Sequence, residues 1–126
     1  MHTLYGIKNC DTVKKARTWL DTNQIDYRFH DFRSDGLSRE KLSLWLKQAG
    51  FDTVINKRSS TWKALDEATR QDLLEGEDLS AIIEQPTLIK RPVLEKIEDN
   101  KMQALHFGFK AQEYEHLLSE HLVTEA

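Results

Sequence analysis

An α/β fold built around one mixed sheet is predicted, and three stretches of the 126-residue chain predict it. The first stretch reads strand, helix, strand, a βαβ unit. The middle is a block of short helical pieces without strand alternation. The last reads strand, strand, helix. A single sheet with helices on both faces accounts for the order β-α-β, helical block, β-β-α.

The first strand is Thr3-Leu4-Tyr5-Gly6-Ile7, β-branched and aromatic, and the turn-like Lys8-Asn9 ends it. From Asp11 the period changes. Val13, Ala16, Trp19 and Leu20 recur at helical spacing, Asp11 or Thr12 is suited to cap the first turn, and Asn23 to end the helix. Ile25, Tyr27 and Phe29 then alternate with Asp26, Arg28 and His30, the pattern of a half-buried strand. The crossover between the two strands is expected to be right-handed.

Ser38 is suited to start a second helix with Leu42, Trp45, Leu46 and Ala49 on its apolar stripe and Gly50 as its C-terminal cap. Phe51 to Arg58 reads as irregular. Short helical pieces are expected from Thr61 to about Ile83, with Trp62, Leu65, Leu73, Leu74, Leu79, Ile82 and Ile83 as core contacts and Gly76 as a separator. Strands are expected at Leu88-Ile89, Val93-Leu94 and Met102 to Phe107, the last two joined by a hairpin turn at Glu98-Asp99-Asn100. A final helix from about Ala111 carries Tyr114, Leu117, Leu118 and Leu122 on one side.

Composition bounds the function. Charged residues make up 31% of the chain, both signs are scattered and the net charge is −3, which argues against a nucleic-acid groove or a membrane-surface patch. No segment approaches the ~20 apolar residues that a bilayer span needs. The N-terminal Met1 to Ile7 lacks the basic flank and apolar core of a signal peptide, so a cytoplasmic location is expected. The one cysteine agrees, because it excludes an intrachain disulfide. The five histidines show no metal-ligand spacing, and neither a metal nor a bound cofactor is expected.

Cys10 stands at the junction of the first strand and the first helix. A helix N-terminus favours the thiolate, the reactive form, and its free N–H groups can hold an anion. Lys8, Lys14 and Lys15 add positive charge, and Asp11 opposes it. A lone cysteine is more often a small buried side chain, but the polar turn before Cys10 argues for a reactive one. Val13 stands where a Cys-x-x-Cys motif would place a second thiol, so a mixed disulfide at Cys10 needs an external thiol to resolve it. Arg58, in Asn56-Lys57-Arg58, and Arg91, before Pro92, are suited to bind a carboxylate or an oxyanion bidentately. The bland reading of each is a solvated surface charge. Trp19, Trp45 and Trp62 read as core, and the acidic pairs near Asp66 and Glu75 as helix starts and solvent faces.

The run Thr3-Leu4-Tyr5-Gly6-Ile7-Lys8-Asn9-Cys10-Asp11-Thr12 with Lys15 to Leu20 behind it, and Gln85-Pro86-Thr87-Leu88-Ile89-Lys90-Arg91-Pro92 downstream, resemble the ArsC/Spx family, above all its YffB-like branch. Asn56-Lys57-Arg58 falls where that family carries another arginine. The resemblance runs from about Thr3 to Leu118. It implies one thioredoxin-like domain over residues 1–126, a mixed sheet with a helical insertion at about residues 37–84. It implies Cys10 as nucleophile, Arg58 and Arg91 facing it as catalytic cations, and a cis Arg91-Pro92 bond. Lys8, Asn9, Thr12 and Pro92 complete the expected substrate-binding set. Arsenate reductases of this type carry a third arginine after the last hairpin, where this chain reads Leu105-His106-Phe107-Gly108-Phe109. The family's transcriptional regulators often carry Cys-x-x-Cys, which Val13 removes.

These observations lead to a glutathione-dependent thiol oxidoreductase that uses glutathione as cosubstrate, with glutathione or a thiol/disulfide protein as partner and a monomeric state. Two alternatives stand beside it. One is an Spx-like regulator that docks on a machine such as RNA polymerase, and the other is an arsenate reductase.

Overall fold

Two apolar runs in mid-sheet positions, Leu4-Tyr5 and Val93-Leu94, set the centre of the fold. In the computed structural model, which describes residues 1–76 and 78–119, they pair directly with each other. The sheet has four strands in the order β2-β1-β3-β4: β1 His2–Gly6, β2 Arg28–Asp31, β3 Val93–Glu98 and β4 Lys101–Phe107. β1 and β2 are parallel, with Gly6 opposite Asp31; the other pairs are antiparallel. The β3–β4 turn places Asp99 and Asn100 at φ 54° and 63°, the left-handed pair that a two-residue hairpin requires.

The chain divides into two units, one formed by Met1–Asp31 with the chain from Arg91 onward, the other by Phe32–Lys90. In the first unit, α1 (Asp11–Thr22) buries Val13, Ala16 and Leu20. Ala16 and Leu20 form one core with Leu4, Ile25, Leu94, Tyr114 and Leu118. That set joins one sheet face to α1 and to the C-terminal helix Ala111–Leu117. Leu122 lies outside the described residues.

Expectation and structure differ at some points in this unit. Cys10, not Asp11 or Thr12, is the N-cap of α1; it is the last extended residue, at φ −93° and ψ 121°, while the other two are already helical. The second strand is shorter than the alternation suggested. Ile25 is tied to the end of α1 by its N–H to the Leu20 carbonyl at 3.0 Å, so Ile25 to Tyr27 are spent on leaving the helix. Trp19 is half-buried rather than fully in the core.

The second unit is helical. α2 is Phe32–Asp35, α3 Arg39–Ala49, α4 Phe51–Val54, α5 Ser60–Ala64, α6 Glu67–Leu74 and α7 Ser80–Glu84, which makes the C-terminal helix α8. Ser38 caps α3 by accepting the Lys41 N–H at 3.1 Å, and Gly50 ends it at φ 87°. Phe51 to Val54 is a helical turn, where irregular chain was expected. Leu88-Ile89 is not a strand: Pro86–Leu88 forms a 3-10 turn, and Ile89 makes a single bridge to Ile55. Proline at the first turn position favours that outcome, since its fixed φ suits a helical start and it has no N–H for a ladder. Trp45, Trp62, Leu73, Leu79 and Ile82 are buried, but Leu74 is 50% exposed because it falls on the solvent side of α6.

Candidate functional site

One end of the first unit's sheet collects the residues singled out from the sequence. Tyr5 pairs with Val93, so the chain leaving β1 toward Cys10 and the chain entering β3 from Arg91-Pro92 lie at the same end. The Gly108 N–H donates to the Pro92 carbonyl at 2.8 Å, which brings the β4–α8 connection there too. The Arg91-Pro92 peptide bond is cis. Pro92 is buried and Arg91 half-buried.

Gly6 controls how low the first turn of α1 sits on the sheet. A Cβ on Gly6 would stand 2.7 Å from Val13 Cγ2, closer than side-chain carbons come, so only glycine admits this approach. The turn that follows is held by the Cys10 N–H donating to the Ile7 carbonyl at 3.1 Å, with Lys8 and Asn9 exposed on it. The Cys10 carbonyl then accepts the Lys14 N–H at 3.0 Å, the first hydrogen bond of α1. The Cys10 side chain is partly exposed and makes no capping hydrogen bond. Its sulfur therefore sits at a helix N-terminus and is not committed to a cap. Thr12, Lys14 and Lys15 are exposed on the first two turns, beside the exposed Asp11.

Arg58 belongs to the second unit. It is exposed, and its backbone N–H donates to Asn56 Oδ1 at 3.1 Å, an Asx turn that leads into α5.

Two buried carboxylates stand outside the sequence expectations. Asp31 is 6% exposed at the end of β2, opposite Gly6 and so at the same end of the sheet as Cys10. Glu95 is 1% exposed in β3 and accepts the Tyr5 hydroxyl at 2.9 Å. Burial and the Glu95 carboxylate beside it hold the Tyr5 hydroxyl well above its usual titration range. Each acid had a signal in the sequence. Asp31 continues the phase of Ile25, Tyr27 and Phe29, and Glu95 shares the phase of Val93 and Ile97, so each sits on the apolar side of an alternation.

The arrangement presents an accessible thiol at a helix start, with lysines and an arginine at the same sheet end. That is the apparatus of thiolate chemistry.

Among known proteins, a solved structure described as the YffB protein superposes with a TM-score of 0.81 at 42% identity, covering 92% of this chain and 97% of that one. An uncharacterised protein of Haemophilus influenzae is 48% identical over 115 residues, 91% of this chain and 96% of the relative. The global transcriptional regulator Spx of Lactiplantibacillus plantarum is 30% identical over 105 residues, 82% of this chain and 77% of the regulator. These likenesses carry with them the thioredoxin-like fold that the family resemblance implies, with the α/β sheet that the element order predicts. The model of the ArsC family matches residues 5–117, which include the Cys10 turn, Arg58 and the cis Arg91-Pro92 step, and the chain belongs to that family.

Proposed function

We propose that this protein is a monothiol oxidoreductase that reduces disulfides at the expense of glutathione, with Cys10 as its only nucleophile. The observation that carries the reading is the placement of Cys10: N-cap of a 12-residue helix, partly exposed, its side chain uncommitted to a cap. The Cys10 thiolate attacks the glutathione sulfur of a mixed disulfide. A new S–S bond forms to Cys10, the old one breaks, and the substrate sulfur leaves as a thiolate that takes a proton from solvent. A second glutathione thiolate then attacks the Cys10 adduct, frees Cys10 and departs as oxidised glutathione. The substrate sulfur is reduced and the glutathione thiol oxidised, so the electrons balance. With no other cysteine in the chain, the adduct waits for that external thiol.

Lys8 and Arg91 are assigned to the glutathione carboxylates, Asn9 and Thr12 to positioning around the Cys10 turn, and the Pro92 segment to pairing with the tripeptide backbone. Arg58 is assigned on the family pattern alone, and its replacement by alanine tests it separately.

The deciding experiment is a mass spectrum of the full chain after incubation with oxidised glutathione. One glutathionyl adduct on Cys10, removed by reduced glutathione, is the expected result. An unmodified chain, or an adduct that reduced glutathione leaves in place, would overturn the reading.

The similarity to a regulator named Spx supports a second reading, a protein-binding regulator. A pull-down from lysate separates the two, because a regulator retains a large partner in stoichiometric amounts whatever the state of Cys10.

A further inference from the structure

A groove that does not include Cys10 in its lining runs along α1 in the first unit. Lys14, Lys15, Thr18, Trp19, Thr22 and Asn23 form one wall, and Phe109 and Ala111 the other. Its volume is about 480 Å³, and it is largely open to solvent. Trp19 and Phe109 each pack nearly perpendicular to the fully buried Tyr114, with ring centroids 5.7 Å and 4.7 Å from it. Large aromatic surfaces held in place before binding are the usual energetic centre of a protein contact.

The charges at the groove have one sign. Lys14 and Lys15 are exposed at the end nearer Cys10, and no carboxylate lines the wall among the described residues. Lys110, between Phe109 and Ala111 in the chain, is exposed as well. Among the acids on the two helices, Glu113 stands 2.9 Å from His106, and Asp11, Asp21 and Glu115 are exposed beside the groove without lining it. The chain as a whole carries a net charge of −3, so a cationic rim here is a local feature and not the result of a basic composition.

We propose that this groove docks an acidic protein segment, one large apolar side chain seated between Trp19 and Phe109 and its carboxylates on Lys14 and Lys15. An enclosed site would bury most of a small molecule, whereas an open apolar strip with a charged rim suits a segment of chain that stays partly in water. The surface begins one helical turn from Cys10, so a docked partner lies beside the thiol. The proposal does not rest on the redox reading, because its test scores binding alone.

The test uses the isotope-labelled full chain. It is titrated with synthetic peptides that each carry one tryptophan, phenylalanine or leucine beside a run of glutamates, with matched peptides carrying lysines, and with decanoate alone. Expected is binding by acidic members, with amide shifts centred on Trp19, Phe109 and Ala111. Weakening by about tenfold or more is expected both in the double substitution Lys14→Glu, Lys15→Glu and in Thr22→Glu, which fills the far end and repels carboxylates. The substituted side chains are exposed, and thermal melting confirms that each variant folds. Four outcomes overturn the proposal: no acidic peptide moves the groove amides, the basic set binds as well, binding survives both variants within about twofold, or decanoate binds where no peptide does.

Discussion

Tyr5 and Tyr114 are both buried, yet their hydroxyls meet opposite circumstances. The Tyr5 hydroxyl donates to the Glu95 carboxylate at 2.9 Å, while that of Tyr114 is buried with no hydrogen-bond partner among the described residues. Removing a donor from a buried carboxylate costs about 1.5–3 kcal/mol, whereas removing an unsatisfied hydroxyl relieves a penalty. Tyr5→Phe is therefore expected to lower stability by about 2 kcal/mol, and Tyr114→Phe to leave it unchanged or raise it by about 1 kcal/mol, both read from urea unfolding midpoints. Burial holds both hydroxyls above their usual titration range. In the interval above the unfolded value of about 10 the native state keeps protons that the unfolded state has lost, so stability holds below that pH and falls as pH rises past it. The fall is expected to be shallower in either phenylalanine variant, and an identical alkaline slope in all three proteins would refute it. At the thiol end, the half-buried Arg91 carries the proposed carboxylate contact, while Lys47 is an exposed residue of α3. Arg91→Ala is expected to slow glutathionylation of Cys10 by about tenfold or more and Lys47→Ala by less than about twofold, since a bidentate charge-assisted pair far outweighs a screened surface charge. Equal rates would remove Arg91 from the site.

Among the elements, α1 depends on β1 through a contact with no spare room. A methyl group on Gly6 would strike Val13, whose branched side chain is confined to one rotamer in a helix. Gly6→Ala is expected to cost about 1–3 kcal/mol, the range for overpacking, and to alter the reactivity of Cys10 because the first turn must lift. Adding Val13→Ala makes room for the methyl, so the double variant is expected to be more stable than the sum of the two single changes. Additive changes in unfolding free energy would show that the two side chains do not couple. α3 tests capping in the second unit. Its N-cap Ser38 accepts the Lys41 N–H, and Ser38→Ala is expected to cost about 1 kcal/mol, measured by thermal melting.

For the whole molecule, the stretch Leu105 to Phe109 bears on which family chemistry is expected. A thiolate and an oxyanion at ~4 Å repel by about 4 kcal/mol at an effective dielectric near 20, and fixed cations must offset this. The region in which arsenate reductases of this type are expected to carry a third arginine, Leu105 to Phe109, has none, and Gly108 within it stands at φ 86°, a left-handed conformation that favours glycine. Lys101 and Lys110 are exposed, and an ammonium group does not reproduce the planar fork of a guanidinium. By analogy with a lost oxyanion-hole donor, arsenate reduction is expected at least about a hundredfold below that of a true arsenate reductase. A coupled assay with glutathione, glutaredoxin and arsenate checks this, and turnover at ordinary enzyme rates would make arsenate the substrate.

Local signals were legible in the amino acids alone. The change of period at Asp11 marks the strand–helix junction and so the place of Cys10. Ser38 and Gly50 bound α3, and Asp99-Asn100 marks the hairpin, because caps and turns depend on a few neighbouring residues. The run from Thr3 to Thr12 with Lys15 to Leu20 behind it, Asn56-Lys57-Arg58, and the stretch from Gln85 to Pro92, in that order, suggested the family. Packing decided the rest. Phe51 to Val54 turns helical, and Leu88-Ile89 gives up its strand to a 3-10 turn, because isolated pieces of four or five residues take the conformation that their contacts stabilise. Asp31 and Glu95 are buried, and Trp19 stands at the wall of a groove rather than in the core. Each of these outcomes depends on which side chains arrive from distant parts of the chain, and a run of residues does not carry that information in itself.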